Sequence, residues 1–294
     1  MKVGIYGQFY HKHSEQSIQH ILNALKQTNV DIAIEKNFLE LIKHHKEIDT
    51  NVATFSSFTE LDHSYDLFFS IGGDGTLLKS ITFVRDLGIP IVGINTGRLG
   101  FLATIQKEKI VESIAQIIAG NFTISERSLL AIQTDPQSNE IGDLNFALNE
   151  IAINRKNTTS MIKVETMVNN EHLTSYWSDG LIISTPTGST GYSLSCGGPI
   201  MDPASQCMVL TPIAPHNLNA RPLVIPDDVE ITLKVSGREK SYLISLDSRI
   251  ATIEDHAVIK IRKAAFTIKL AQLQDDTFIK TLREKLLWGE DKRN

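Results

Sequence analysis

Three glycines surround one acid in Gly72-Gly73-Asp74-Gly75-Thr76, which follows the apolar run Asp66-Leu67-Phe68-Phe69-Ser70-Ile71 and precedes a helix-like segment from Leu77 to Leu87. Glycine lets the main chain turn through conformations closed to larger residues and lets a ligand come close to it. A helix that starts directly after the turn offers unpaired N–H groups and a partial positive charge, both suited to phosphate. A carboxylate in that setting has two readings. Asp74 is either a group that orients or deprotonates an attacking hydroxyl in phosphoryl transfer, or a cap on a tight helix start. These residues alone do not separate the two.

The second unusual stretch is Ser184 to Gly198, where eight of fifteen residues carry hydroxyls and four are glycine. Hydroxyls and free amides in such a loop suit the many acceptors of a nucleotide, and no charge is present to repel its phosphates. The alternative is a flexible surface loop. Ser189 lacks the spacing of a nucleophile elbow, and Cys196 has no neighbouring cation or histidine to activate it, so neither reads as a nucleophile. Asn149-Glu150 follows an apolar segment, where both side chains can meet ribose or base edges. Asp179, in Trp177-Ser178-Asp179-Gly180, is a turn former or a ligand contact. His216 lies in a proline-punctuated loop and reads as structural. Asp247-Ser248-Arg249 ends a strand, offering either a further carboxylate or a surface turn.

The elements that must position these groups fall into two textures. Lys2 to Gly7, Val30 to Ile34, Asp66 to Ile71 and Gly88 to Asn95 read as strands, with Val52 to Phe55 extending or edging their sheet. They alternate with helices at Ser14 to Gln27 (Ile18, Ile21, Leu22 and Leu25 on one face), Phe38 to His45, Leu77 to Leu87 and Lys107 to Ala119. That alternation predicts a Rossmann-like α/β domain whose parallel sheet carries ligands at the carboxyl ends of its strands. The glycine turn and the loop Thr96 to Phe101 would then share a rim. From Phe122 to Leu273 the runs are short and β-rich, among them Leu129 to Thr134, Phe146 to Asn154, Ile162 to Val168, Leu181 to Thr185, Val229 to Val235, Tyr242 to Leu246 and Ala257 to Ile261. Asn169-Asn170 marks a hairpin turn, and the whole predicts a β-sandwich-like domain. Thr277 to Trp288 returns to helical spacing and is expected to pack back on the first domain. The expected domains are 1–124, completed by 274–294, and 125–273.

A length of 294 residues exceeds the usual single core. With 41% hydrophobic and 21% charged residues the composition is that of an ordinary globular chain. A net charge of -5 and a pI near 6.0 argue against nucleic acid or an anionic membrane as the main partner. The first seven residues carry one positive charge and no signal-peptide core, and no run reaches ~18 apolar residues. A cytoplasmic protein is expected. The two cysteines, Cys196 and Cys207, exclude a disulfide framework, and the nine histidines lack the spacing of a structural metal site.

The GGDGT turn, Asn149-Glu150, Ser178-Asp179-Gly180, Thr185-Pro186-Thr187-Gly188-Ser189-Thr190-Gly191-Tyr192 and the segment Pro215 to Pro222 stand in the order seen in bacterial NAD kinases. The chain closely resembles that family over nearly its whole length. Diacylglycerol and sphingosine kinases and phosphofructokinases share similar glycine turns; the hydroxyl-rich loop makes the match specific. The resemblance implies transfer of the ATP γ-phosphoryl group to the 2′-hydroxyl of the adenosine ribose of NAD, with a divalent metal, normally Mg²⁺, whose ligands stay unassigned. It implies Asp74 as proton acceptor. Gly75 and Phe101 would lie against substrate, Asn149 and Glu150 would hold the adenosine portion, and Asp179, Thr190, Gly191, Tyr192, Ser193, Leu194 and Ser195 would contact the dinucleotide. It also implies a homo-oligomer, dimer or tetramer, built largely through the β domain. Gly191 stands where alanine is common, Trp177 where several relatives have arginine, and Arg249 where glutamine or histidine is more usual. The alternatives are a lipid kinase sharing the GGDGT turn and a dinucleotide-binding sensor without turnover. There is no Gly-x-x-x-x-Gly-Lys-Ser/Thr loop. Phosphate is left to glycine-turn amides, a helix end and a metal.

Overall fold

The structure is a computed structural model that describes residues 1–8, 14–28, 30–43, 51–156 and 160–287. Two compact units emerge, Met1–Glu126 with Ile268–Asn294, and Arg127–Thr267. The chain begins β1 (Lys2–Gly7), α1 (Ser14–Lys26), β2 (Asp31–Glu35), α2 (Lys36–Ile42), β3 (Ala53–Phe55), β4 (Leu67–Ile71), α3 (Asp74–Val84), β5 (Ile91–Ile94) and α4 (Ile110–Ile118). It continues with β6 (Thr123–Asp135), β7 (Phe146–Ala147), β8 (Glu150–Asn154), β9 (Ile162–Val168), β10 (Glu171–Ser178), β11 (Gly180–Ser184) and the short α5 (Tyr192–Ser195). The rest is β12 (Cys207–Ile213), β13 (Leu223–Pro226), β14 (Ile231–Ser236), β15 (Ser241–Leu246), β16 (Arg249–Glu254), β17 (Val258–Gln272) and α6 (Phe278–Leu286).

In the first unit β3, β2, β1, β4 and β5 lie side by side in parallel, and the end of β17 adds a further parallel neighbour at Leu270 beside Ile91. Every residue of β4 and β5 is buried. That is why both read as unbroken apolar runs: a parallel strand is covered on both faces. The predicted face of α1 is the one buried, and Ile18, Ile21 and Leu25 share a core with Ile5, Phe69, Val92, Ile114 and Ala271. The α2 helix starts earlier than its apolar spacing indicates, because the Glu35 carboxylate caps it by accepting the Phe38 N–H at 2.8 Å. The expected end of that helix, His44 and His45, lies outside the described residues. So does Trp288 at the end of the last helix, which starts with the Thr277 hydroxyl capping the Lys280 N–H at 3.2 Å.

The second unit stacks two antiparallel sheets. One runs β10–β9–β14 and on to the first part of β17; the other runs β13–β12–β11–β8–β15–β16. Val164, Ile231 and Ile259 from the first share one core with Ile151, Ile183, Leu210 and Ile244 from the second. Asn169 and Asn170 form the two-residue turn between β9 and β10, at φ 48° and 66°, the left-handed region that asparagine tolerates better than most residues. Several strands, such as β12 and β16, run where the sequence pattern marks no strand. β17 is also far longer than the expected Ala257 to Ile261, since its later residues alternate polar and apolar.

Candidate active site

β4 and β5 are neighbours in register from Phe68 beside Ile91 to Ile71 beside Ile94. Their carboxyl ends therefore deliver the GGDGT turn and the loop Thr96 to Phe101 to the same edge. Between them lies one carboxylate. Asp74 Oδ2 accepts the N–H of Phe101 at 2.8 Å, and Oδ1 accepts those of Leu102 and Ala103, both at 3.0 Å. Asp74 does not cap its helix, whose N-cap, Gly73, makes no side-chain bond. The approach is so close that a Cβ on Gly100 would stand 2.0 Å from Asp74 Oδ1. Asn95, buried at the end of β5, staples the same loop: its Oδ1 accepts the Gly97 N–H at 2.6 Å and its Nδ2 reaches the carbonyls of Arg98 and Ala103. Among the described residues nothing lies within 4 Å of where a Cβ would stand on Gly73 or Gly75. Their lack of a side chain opens space in front of the turn instead of serving internal packing.

In the second unit the same device recurs. Asp247 follows β15 in a two-residue turn, at φ 53°. Its carboxylate accepts three successive backbone N–H groups, those of Leu148 (3.0 Å), Asn149 (2.7 Å) and Glu150 (3.2 Å). Arg249 grips the same segment from the other side, donating to the carbonyls of Leu144 (2.6 Å) and Phe146, with its guanidinium 5.3 Å from the centre of the Phe146 ring. The residue that the sequence left without a role thus braces the strand start that carries Asn149 and Glu150.

Those two side chains are presented, Glu150 buried and Asn149 half-buried, each with a buried acceptor unused. Asn149 Oδ1 and Glu150 Oε2 have no hydrogen-bond partner among the described residues. Unpaired buried polar atoms are costly unless something else fills them. Burial, and then the nearby Asp247, push the Glu150 carboxyl up to about 8, against a smaller opposing effect from the Tyr192 backbone N–H. Burial also raises Asp247, but three amides and Arg249 pull it back. Glu150 therefore keeps its proton well above the range of a free carboxyl.

The hydroxyl-rich stretch is not a flexible surface loop. Ser184, Thr185, Thr187, Ser189 and Ser193 are buried and spend their hydroxyls on internal bonds: Thr185 Oγ1 donates to the Leu148 carbonyl at 2.6 Å, Ser189 Oγ to that of Pro186 at 2.7 Å, and Ser193 pairs with Thr211 at 2.8 Å. Thr187 also meets the buried guanidinium of Arg127 at 3.4 Å, which burial holds at about 10. The backbones pack so tightly that a Cβ on Gly188 would stand 2.1 Å from the Asn149 carbonyl oxygen. Of the expected contact residues, Tyr192 and Ser195 are exposed and Thr190, Gly191 and Leu194 half-buried, whereas the Ser193 side chain faces inward. A Cβ on Gly191 would stand 3.1 Å from Glu150 Oε2, so a side chain here would crowd the unpaired oxygen. Asp179 is paired with Arg155 at 3.1 Å. Trp177 is exposed, and the backbones of 177 and 216 are joined by the His216 N–H at 2.8 Å. Cys196, its thiol raised by burial, is not activated.

The chain matches the model of the ATP-NAD kinase N-terminal domain over residues 3–122 and that of the ATP-NAD kinase C-terminal domain over 148–273. It is 60% identical to NAD kinase of Christiangramia forsetii and 55% identical to NAD kinase of Flavobacterium johnsoniae, each over 294 residues and the full length of both chains. NAD kinase of Bacteroides fragilis is 41% identical over 293 residues, again all of both chains. In fold it is similar to yeast NADH kinase complexed with NADH, at a TM-score of 0.84 and 20% identity over 99% of this chain and 88% of that one. An NAD kinase from Archaeoglobus fulgidus in complex with ATP gives a TM-score of 0.76 at 24% identity, over 98% and 99%. The chain belongs to the NAD kinase family, ATP-dependent kinases that phosphorylate NAD.

Proposed function

We propose that Asp74 is the proton acceptor when this chain moves the ATP γ-phosphoryl group to the 2′-hydroxyl of the adenosine ribose of NAD. The observation that carries this reading is the state of its carboxylate. An ionised carboxylate has about four lone-pair directions, and three amides take three of them, two on Oδ1 and one on Oδ2. The remaining direction, on Oδ2, is free to take a hydroxyl proton from a ligand lying over the open glycines Gly73 and Gly75. As the ribose oxygen bonds to phosphorus and the bond to ADP breaks, the hydroxyl proton passes to Asp74. A positioned base contributes roughly 10²–10⁴ in rate.

Asn149 and protonated Glu150 suit the adenosine portion. A neutral carboxylic acid donates through one oxygen and accepts through the other, and the Asn149 amide does both. Gly75 and Phe101 would lie against substrate; Asp179, Thr190, Gly191, Tyr192, Ser193, Leu194 and Ser195 would follow the dinucleotide, Ser193 through its backbone. Among the described residues no group of three His, Cys, Asp or Glu side chains forms a metal site. Mg²⁺ is commonly held by one or two carboxylates together with substrate phosphates and water, so a divalent metal, normally Mg²⁺, would come with the ATP phosphates and offset their charge; its protein ligands stay unassigned and no step is routed through it. A homo-oligomer in the cytoplasm is the accompanying expectation; no helix among the described residues is long and apolar enough to cross a membrane. Incubating purified protein with ATP, MgCl₂ and either NAD or NADH, then identifying products, tests the reading. NADP from NAD is expected, and a chain that phosphorylates diacylglycerol or neither dinucleotide would end it.

A further inference from the structure

We propose that Lys285 is a positioning residue for phosphoryl transfer, fixing from the far side the loop whose amides hold Asp74. This rests on the role given to Asp74 above. The Lys285 ammonium donates to the Leu99 carbonyl and stands 5.9 Å from the centre of the Phe101 ring. Leu99 and Phe101 flank Gly100, whose missing side chain admits Asp74, and the Phe101 amide is the first of the three that Asp74 accepts. The loop is thus pinned at both ends, by a carboxylate on α3 and by a cation on α6. Packing does not hold α6 there by itself. Only Thr281 and Leu282 of the helix are buried, and a cavity of about 710 Å³, lined by Leu99, Thr104, Lys109, Asp276, Lys280 and Glu284, lies along it. Polar contacts hold the helix as well: the Thr104 side chain hydrogen-bonds the Asp276 carboxylate just ahead of it, and Lys285 reaches Leu99 near its end. The Asp247 grip has the same plan, with Arg249 donating to carbonyls and lying over Phe146.

A single exposed ammonium-to-carbonyl bond adds little to global stability, but a displacement on the order of 1 Å at a reacting group costs up to about 10²-fold in rate. Lys285→Met keeps most of the stem and removes the charge. It should lower kcat about tenfold, move Tm by less than about 2 °C, and speed amide hydrogen exchange in the segment 99–103, with Lys285→Arg restoring both kcat and exchange. Wild-type kcat, or unchanged exchange in 99–103, would overturn the assignment, as would a fall in kcat that only tracks a fall in Tm. The exchange measurement needs no turnover, so it stands even if wild-type protein makes no NADP. That outcome would strike the role of Asp74 and leave the loop-positioning claim to be judged by exchange alone.

Discussion

The two grips, Asp74 on the amides of 101–103 and Asp247 on those of 148–150, are built alike and used differently. Each carboxylate gathers three successive N–H groups, and each is joined by a cation that donates to carbonyls just upstream and lies over a phenylalanine ring. Asp247 is sealed, with a side chain 2% exposed, and its like-charged neighbour Glu150 must carry a proton. Asp74 is half-buried beside glycines that leave open space. On the proposed reading, one arrangement yields a rigid ledge in a dry setting at Asp247 and the proton acceptor in a wet one at Asp74. What separates them is access to the last lone pair.

The largest effect should come from closing that access. Asp74→Asn presents an NH₂ group on one side, so it keeps part of the grip but loses the proton acceptor; turnover should fall at least a hundredfold while dinucleotide binding, measured by calorimetry, stays largely intact. Unchanged turnover would make Asp74 a second Asp247, a purely structural grip. Next in size, Arg249→Met removes two carbonyl contacts and the ring contact from the sealed grip. Bonds to a charged donor are worth roughly 1.5–3 kcal/mol each, and with one retained by water a loss of about 2 kcal/mol corresponds to a Tm drop of about 4–8 °C. A rise in KM for NAD should accompany it, with kcat little changed. A kcat loss equal to that of the Asp74 variant would erase the distinction between ledge and reactive group.

The third effect is one of pH. Folded protein keeps a proton on Glu150 up to about 8, whereas a free carboxyl loses it near 4.5. Between those values the folded state binds more protons, so this contribution to stability is complete below the lower value and is lost as pH rises through the upper one. Glu150→Gln should therefore flatten the fall in Tm between pH 5.5 and 8.5 and leave the variant the more stable of the two at the alkaline end. Parallel curves would show that Glu150 is ionised throughout and that its unpaired oxygen is satisfied in some other way.

Much of this was legible in the sequence where the cause is local. Leu67–Ile71 and Ile91–Ile94 are buried on both faces and read as apolar runs, and Asn169-Asn170 carries its own turn chemistry. The glycine turn and Asn149-Glu150 stood out by residue type. The grips did not. Asp247 meets Leu148 across 99 positions, Arg249 meets Leu144 across 105, and Lys285 meets Leu99 across 186. No periodicity encodes such pairings, and a lone Lys or Asp on a polar face looks like any solvated charge. The hydroxyl-rich loop was noticed for the right composition and given too broad a use, because a serine that serves a ligand and one that satisfies a backbone carbonyl look the same until burial is known.

The order of the elements along the chain carries a consequence for synthesis. Leu270 lies beside Ile91, Ala271 belongs to the first core, and α6 carries Lys285. A ribosome makes residues 127–267 before any of these. Domains fold largely as units while the chain emerges, so the unit that starts first is finished last: it waits, one strand and one helix short, while the whole of its successor is made. The loop around Asp74 gains its second anchor only after residues 127–267 have been made.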